Sequence, residues 1–339
     1  MKIGIITVYD AVNYGSYLQA FSLQEYLKGL GHEVVFIRHF SFKYTKWRIK
    51  CLFTYNPLKW AFKAKFALGY FQDWKNFKTV SPSEKLDLVI IGSDEMWQLK
   101  NLTLKPLKLF WGNGVNSDTV VTYALCSNDT TYEDTKKYPF IANSIRNLKK
   151  ISFRDEITRK AYGPYLSEEP EMCIDPTFLI DLNLYTPNKQ QLGDYILVYT
   201  YGFSESMVQK VKELSQKVHL PIISAAQKFD WCDRAIPASP LGFLELIKKG
   251  KYVVTDTFHG TVLSIIFHKQ FVSFASHKPK VFDILKQMGL EERNGMAYAS
   301  IVDIMKTEIN YIECDKIIDE KKKRSYQYIN DCLRGIENE

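Results

Sequence analysis

His259 stands in the run Thr255-Asp256-Thr257-Phe258-His259-Gly260-Thr261, directly after an apolar, β-branched stretch. A tight turn there projects the ring from a strand end, and an imidazole titrating near neutrality can deliver or remove a proton. A helix cap with a structural hydrogen bond is the plainer reading of the same residue. Arg154 lies just past another strand-like run, beside Asp155 and Glu156. A guanidinium fork meets a planar oxyanion with two parallel hydrogen bonds that an ammonium cannot copy, and it stabilises charge as an anionic group leaves. An ion pair with Asp155, Glu156 or another acid is the alternative. Asn13-Tyr14-Gly15 offers backbone N–H groups and an amide to a hydroxyl-rich ligand, or else is a strand-to-helix turn with an Asn cap. Ser93 and Asp94 in Gly92-Ser93-Asp94 read the same two ways, as hydroxyl contacts or as helix caps. Asp175-Pro176-Thr177 is read as structural, because Pro fixes the backbone and Asp caps a turn. Asp256 either fixes the imidazole tautomer or caps the next helix, and the other histidines have no such company.

These residues need elements to position them. Residues 2–8 form a β-branched strand, residues 17–30 carry apolar side chains at helical spacing, and residues 34–37 form a second strand. A right-handed β-α-β crossover makes the two strands parallel. Residues 86–91 and 120–124 read as buried interior strands, and residues 150–153 and 171–174 as shorter ones. Each ends in polar residues, on the edge where open α/β sheets bind ligands. A stretch rich in Pro, Asn and Gln over residues 185–194 is the expected linker. Beyond it strands at 195–200, 221–224, 252–254 and 271–274 alternate with helices at 204–218, at 241–249 and from the segment 255–261 to about 268, giving a second α/β domain. Residues 314–333 predict a terminal helix that returns to the first domain. The expected domains are residues 1–184, 195–313 and a terminal helix over 314–339.

The 339 residues are 46% hydrophobic and 24% charged, which excludes disorder and fibrous repeats. No apolar run approaches the roughly 20 residues of a spanning helix, and residue 2 already begins a strand rather than a leader, so a cytoplasmic protein is expected. The six cysteines form no C-x-x-C pair and the six histidines no metal-ligand pattern, so no metal is expected. A P-loop is absent from the sequence. The net charge of +7 is concentrated between residues 42 and 78, where nine lysines and arginines interleave with aromatics and Asp73 is the one acid. Phe62, Phe66, Tyr70, Trp74 and Phe77, with Leu58, make one apolar helical face, which is a core face or else a peripheral contact with an anionic bilayer. No nucleic-acid module accompanies the patch, and no nucleic acid is expected.

The ordered set of Gly4-Ile5-Ile6-Thr7, Asn13-Tyr14-Gly15, Gly92-Ser93-Asp94 with Trp97, Ile151-Ser152-Phe153-Arg154-Asp155, Asp175-Pro176-Thr177 and the run around His259 resembles the polysaccharide pyruvyl transferase family over nearly the whole chain. The resemblance implies an α/β fold of two Rossmann-like domains facing across a cleft, similar to GT-B glycosyltransferases. It also implies transfer of a pyruvyl group from phosphoenolpyruvate, a co-substrate rather than a cofactor, to two hydroxyls of a saccharide, in making capsules, exopolysaccharides or other glycans. On this reading His259 is the general acid or base and Arg154 holds the donor. Thr257, Gly260, Thr261 and Lys280 lie on the donor side, and Asn13, Tyr14, Gly15, Ser93 and Asp94 on the acceptor side. A saccharide acceptor is expected, free, polymeric or carried on a lipid diphosphate; in the last case residues 42–78 would bring the cleft to the membrane. Some members carry Arg at the place of Thr257, Arg is frequent at the place of Lys280, and Gln is common at that of Glu95. A glycosyltransferase using a sugar nucleotide and a non-catalytic saccharide-binding protein are the alternatives.

Overall fold

Wholly apolar runs of four or five residues can lie in a sheet only where both faces are covered, which calls for parallel strands joined by helices. The computed structural model, which describes residues 1–53, 56–100, 107–189, 191–276 and 278–337, has this construction twice. The first sheet comprises β1 (Lys2–Ile6), β2 (Glu33–Ile37), β3 (Thr79–Val80), β4 (Leu88–Ile91) and β5 (Val120–Thr122), in the order β3-β2-β1-β4-β5. Every pairing in it is parallel. A small parallel pair, β6 (Ser152–Phe153) and β7 (Glu171–Met172), continues beyond β5 through the bridges Val121 to Lys150 and Leu125 to Phe153. The second sheet comprises β8 (Ile196–Tyr199), β9 (Ile222–Ala225), β10 (Arg234–Ile236), β11 (Tyr252–Thr255) and β12 (Gln270–Ser273), in the order β10-β9-β8-β11-β12. It is also wholly parallel and repeats the strand order of the first.

Helix α1 (Tyr14–Gly29) begins three residues before the expected 17, because Asn13 Oδ1 accepts from Gly15 N at 2.8 Å and Ser16 N at 3.2 Å and so starts the helix at once. β3 and β10, two and three residues long, escape a sequence reading because neither carries a period. The basic segment forms two helices, α2 (Phe42–Leu52) and α3 (Trp60–Asp73). The apolar face expected along it is core: Phe62, Phe66, Tyr70 and Phe77 are buried, while the Leu58 side chain lies outside the described residues. That face therefore cannot meet a membrane.

The lobes meet through aromatic packing. Tyr14 is fully buried and donates its hydroxyl to Ala238 O at 3.0 Å. Its ring stacks on Phe243 at 4.3 Å and on Tyr70 at 5.8 Å, and Asp73 Oδ2 accepts from Leu241 N at 2.9 Å. The long Tyr311–Glu337 helix lies against the first lobe, with Tyr328 donating to Thr122 O at 2.8 Å and Ser325 Oγ accepting from Ile174 N at 2.9 Å. Among the described residues no helix is long and apolar enough to cross a membrane.

Candidate functional site

β11 ends in Thr255, and two residues later Thr257 caps the Phe258–Ile266 helix by accepting from Gly260 N at 3.0 Å. The turn delivers His259, in the first turn of that helix, to the first lobe. There Gly15, in the first turn of α1, lies against the ring: a Cβ on Gly15 would fall 2.0 Å from His259 Nδ1. Only a residue without a side chain lets the imidazole occupy that place. The other ring nitrogen, Nε2, lies 3.5 Å from Asp175 Oδ2 and makes no aligned hydrogen bond.

The same Asp175 oxygen accepts from Arg154 Nη1 at 2.6 Å. Arg154 follows β6 and Asp175 follows β7, so the parallel pair delivers a guanidinium and a carboxylate side by side. The guanidinium also lies 4.1 Å over the Phe258 ring, next to His259 in sequence. Arg154 thus pairs with Asp175, while Asp155 caps the following helix by accepting from Thr158 N at 2.7 Å. Burial alone would push the Asp175 carboxyl up, but the His259 imidazole, the Arg154 guanidinium and the Thr177 hydroxyl together hold it well below the ordinary carboxylate range. Asp175 is the turn cap that the sequence suggests, its Oδ1 accepting from Thr177 N at 3.0 Å and Thr177 Oγ1 at 2.7 Å, and its other oxygen in addition meets Arg154 and faces His259.

Two hollows that share Asn13, His259 and Lys280 in their walls flank His259. One, of ≈ 240 Å³, is lined by Asn13, Ser16, Tyr44, Trp47, Asp94, Glu95, Arg154, His259 and Lys280, with Val8 and Ala11. The other, of ≈ 250 Å³, is lined by Asn13, Asn128, Tyr199, Tyr201, Asp256, Thr257, Phe258, His259, Lys278 and Lys280. Three cations thus border one cleft, each countered by a carboxylate: Arg154 by Asp175, Lys278 by Asp256 and Lys280 by Glu95. Burial acts to lower the Lys280 pKa, yet the Glu95 carboxylate outweighs it and holds the ammonium above its usual value. Asp256 therefore serves Lys278, and the carboxylate beside the imidazole is Asp175.

Of the expected site residues, His259, Arg154, Lys280, Thr257, Asn13 and Asp94 line these hollows. Four others are structural. Tyr14 is spent on the lobe interface, and Ser93 is fully buried, donating to Gln19 Oε1 at 3.0 Å. Thr261 is buried, its Oγ1 2.7 Å from Ser273 Oγ. Gly260 lies where a Cβ would come within 2.2 Å of Thr255 Oγ1, so it serves close packing rather than ligand contact. Gly15 makes room for His259 instead of binding acceptor. The sequence reading passed over Asp175 as a site residue, and gave no site role to Tyr44 and Trp47 of α2 or to Tyr199, Tyr201 and Lys278. Tyr44 and Trp47 are three apart on one helix face, but only the turn of that face toward the cleft distinguishes them from core.

Two parallel sheets of matching strand order, with an imidazole from one lobe and a guanidinium from the other at a shared carboxylate, define a two-lobed α/β protein of GT-B type with its site in the cleft. The chain belongs to the polysaccharide pyruvyl transferase family, whose model matches residues 13–278, well over half of the sequence. The family makes it a transferase. No match is found among curated proteins. Its fold is similar to that of a protein from Listeria monocytogenes assigned as a UDP-N-acetylglucosamine 2-epimerase, with a TM-score of 0.54 and 9% identity over 100% of this chain and 97% of that one. It is also similar to the UDP-GlcNAc 2-epimerase of Neisseria meningitidis bound to UDP-GlcNAc, with a TM-score of 0.52 and 11% identity over 99% of this chain and 100% of that one. At such identities the likeness carries the GT-B fold alone.

Proposed function

We propose that this protein transfers the pyruvyl group of phosphoenolpyruvate to two hydroxyls of one saccharide, forming a cyclic ketal and releasing phosphate, in the making of a capsule, exopolysaccharide or other glycan. The acceptor on this reading is carried on a lipid diphosphate. One sugar oxygen bonds to C2 of the donor as C3 gains a proton and becomes a methyl group. The second oxygen then bonds to C2 as the bond to the phosphate oxygen breaks. Of the two hydroxyl protons, one balances the methyl group and the other leaves with phosphate.

The observation that carries this reading is the cavity shared by Arg154 and His259, with Lys280 on its wall. A multiply anionic donor needs clustered cations, and a guanidinium beside a proton-exchanging imidazole meets both demands of the reaction. Nε2 faces Asp175 at 3.5 Å, and the imidazole is the group that exchanges protons with substrate on this reading. Trp47 and Tyr44 offer aromatic faces to the sugar ring, and Asp94 and Glu95 offer acceptors for its hydroxyls, on the side of the cleft nearer the first lobe. Incubation with phosphoenolpyruvate and a panel of galactosides and mannosides tests the reading: phosphate and a pyruvylated sugar should form in equal amounts. UDP-sugars should give no product, and glycosyl transfer from one of them would replace this reading.

A further inference from the structure

The face of α2 that looks away from the cleft leaves large apolar side chains in water. Phe42 and Ile49 are 74% and 52% exposed, and Phe53, directly after the helix, is 60% exposed. Phe42, Lys46 and Ile49 recur at i, i+4 and i+7, so they share one stripe. Lys43 and Lys50, exposed and seven residues apart, flank it on one side. No Asp or Glu occurs between residues 34 and 72. Large apolar side chains left in water in a cluster mark an interaction surface. The inner face of the same helix is fixed to the first lobe, since Asp10 accepts from Tyr44 Oη at 2.8 Å and pairs with Arg48.

We infer that α2 docks this protein on the surface of an anionic bilayer, with the Phe42, Ile49 and Phe53 stripe in the headgroup boundary and the lysines against lipid phosphates. Charge complementarity selects this occupant: an apolar stripe flanked by cations without acids fits an interfacial helix, whose stems bury while the ammonium groups stay with the headgroups. Docking by α2 brings the cleft within one helix of the membrane, because Tyr44 and Trp47 on the helix's other side line the hollow that holds Arg154 and His259. This inference rests on the pyruvyl transfer reading for its purpose, namely bringing a lipid-carried sugar to the cleft, but not for its test.

The test is co-sedimentation of the full chain with vesicles of phosphatidylcholine alone or with phosphatidylglycerol added. The protein should pellet with the anionic vesicles, remain in solution with the neutral ones, and be released as salt shortens the screening length. Reversing three lysines together (Lys43→Glu, Lys46→Glu, Lys50→Glu) should weaken partitioning by at least about a hundredfold, at roughly fivefold per lysine near the surface. Phe42→Ser with Ile49→Ser should weaken it at least tenfold with an unchanged circular dichroism spectrum. Wild-type protein that stays in solution with both vesicle types, binding indifferent to anionic lipid, or variants that pellet like wild type would overturn the inference. So would a solution dimer that the Phe42→Ser, Ile49→Ser variant dissociates, since a second copy would then be the occupant. Phosphate release from phosphoenolpyruvate with soluble saccharides reads the transfer separately. Release without vesicle binding refutes the docking surface alone, and vesicle binding without release refutes the transfer alone.

Discussion

His259 Nε2, from the second lobe, lies 3.5 Å from Asp175 Oδ2, from the first. The same oxygen holds the Arg154 guanidinium at 2.6 Å. One buried carboxylate thereby fixes where both groups stand, and the cleft geometry depends on its charge.

Asp175→Asn leaves Arg154 buried without its counter-ion, and breaking such a pair costs about 3–5 kcal/mol. Urea unfolding at pH 7 should show a loss of stability of that order. Because the folded state holds this carboxyl below its ordinary value of about 4, its contribution is complete above that pH and fades as pH falls further. The gap between wild type and variant should accordingly shrink on acidification below about pH 4. Equal stability at pH 7 would show that Asp175 does not play this part.

Gly15→Ala would place a methyl group 2.0 Å from His259 Nδ1, so the ring or the start of α1 must move. Misplacing a catalytic group by about 1 Å can lower rates on the order of a hundredfold. Phosphate release should fall by at least tenfold while the far-UV circular dichroism is kept. Gly29→Ala, at the other end of the same helix with nothing within 4 Å, should leave activity unchanged.

Tyr14→Phe removes a hydroxyl that donates to Ala238 O across the lobe interface. A loss of about 1 kcal/mol is expected, since a buried acceptor loses its partner. The KM for the saccharide should not change; an increase of tenfold or more would return Tyr14 to the acceptor site.

The alternation of apolar runs and helical periods was enough to read four of the five strands of each sheet, all but the short β3 and β10, since buried parallel strands cannot be polar on either face. His259 and Arg154 could be singled out because each follows within four residues of a strand end, beside polar neighbours. The second role of Asp175 was not legible, because an Asp-Pro-Thr turn capped by one carboxylate oxygen looks the same whether or not the other oxygen reaches a guanidinium 21 residues earlier in the chain. Tyr14, Ser93 and Thr261 carry polar groups in matching motifs, yet their hydroxyls are used within the fold, which only tertiary packing decides. The 42–78 segment shows the same limit: its spacing reveals an apolar face on α3, but not that this face turns inward while that of α2 turns out.

Lys280, countered by Glu95 across the cleft, is a cation on the wall shared with Arg154. Lys280→Met should raise the KM for phosphoenolpyruvate at least tenfold and affect the KM for the saccharide much less, as initial rates at varied donor and acceptor will show. Equal changes in both would indicate that Lys280 shapes the cleft without holding donor.

Phosphate release and pyruvylated product, measured together for wild type and His259→Ala, test the account most directly. Wild type should yield the two in equal amounts. Removal of the imidazole should lower both by about 10²–10⁴-fold, the usual range for a general acid or base, with the fold intact. Undiminished turnover in His259→Ala, or phosphate formed by wild type without a pyruvylated sugar, would contradict it.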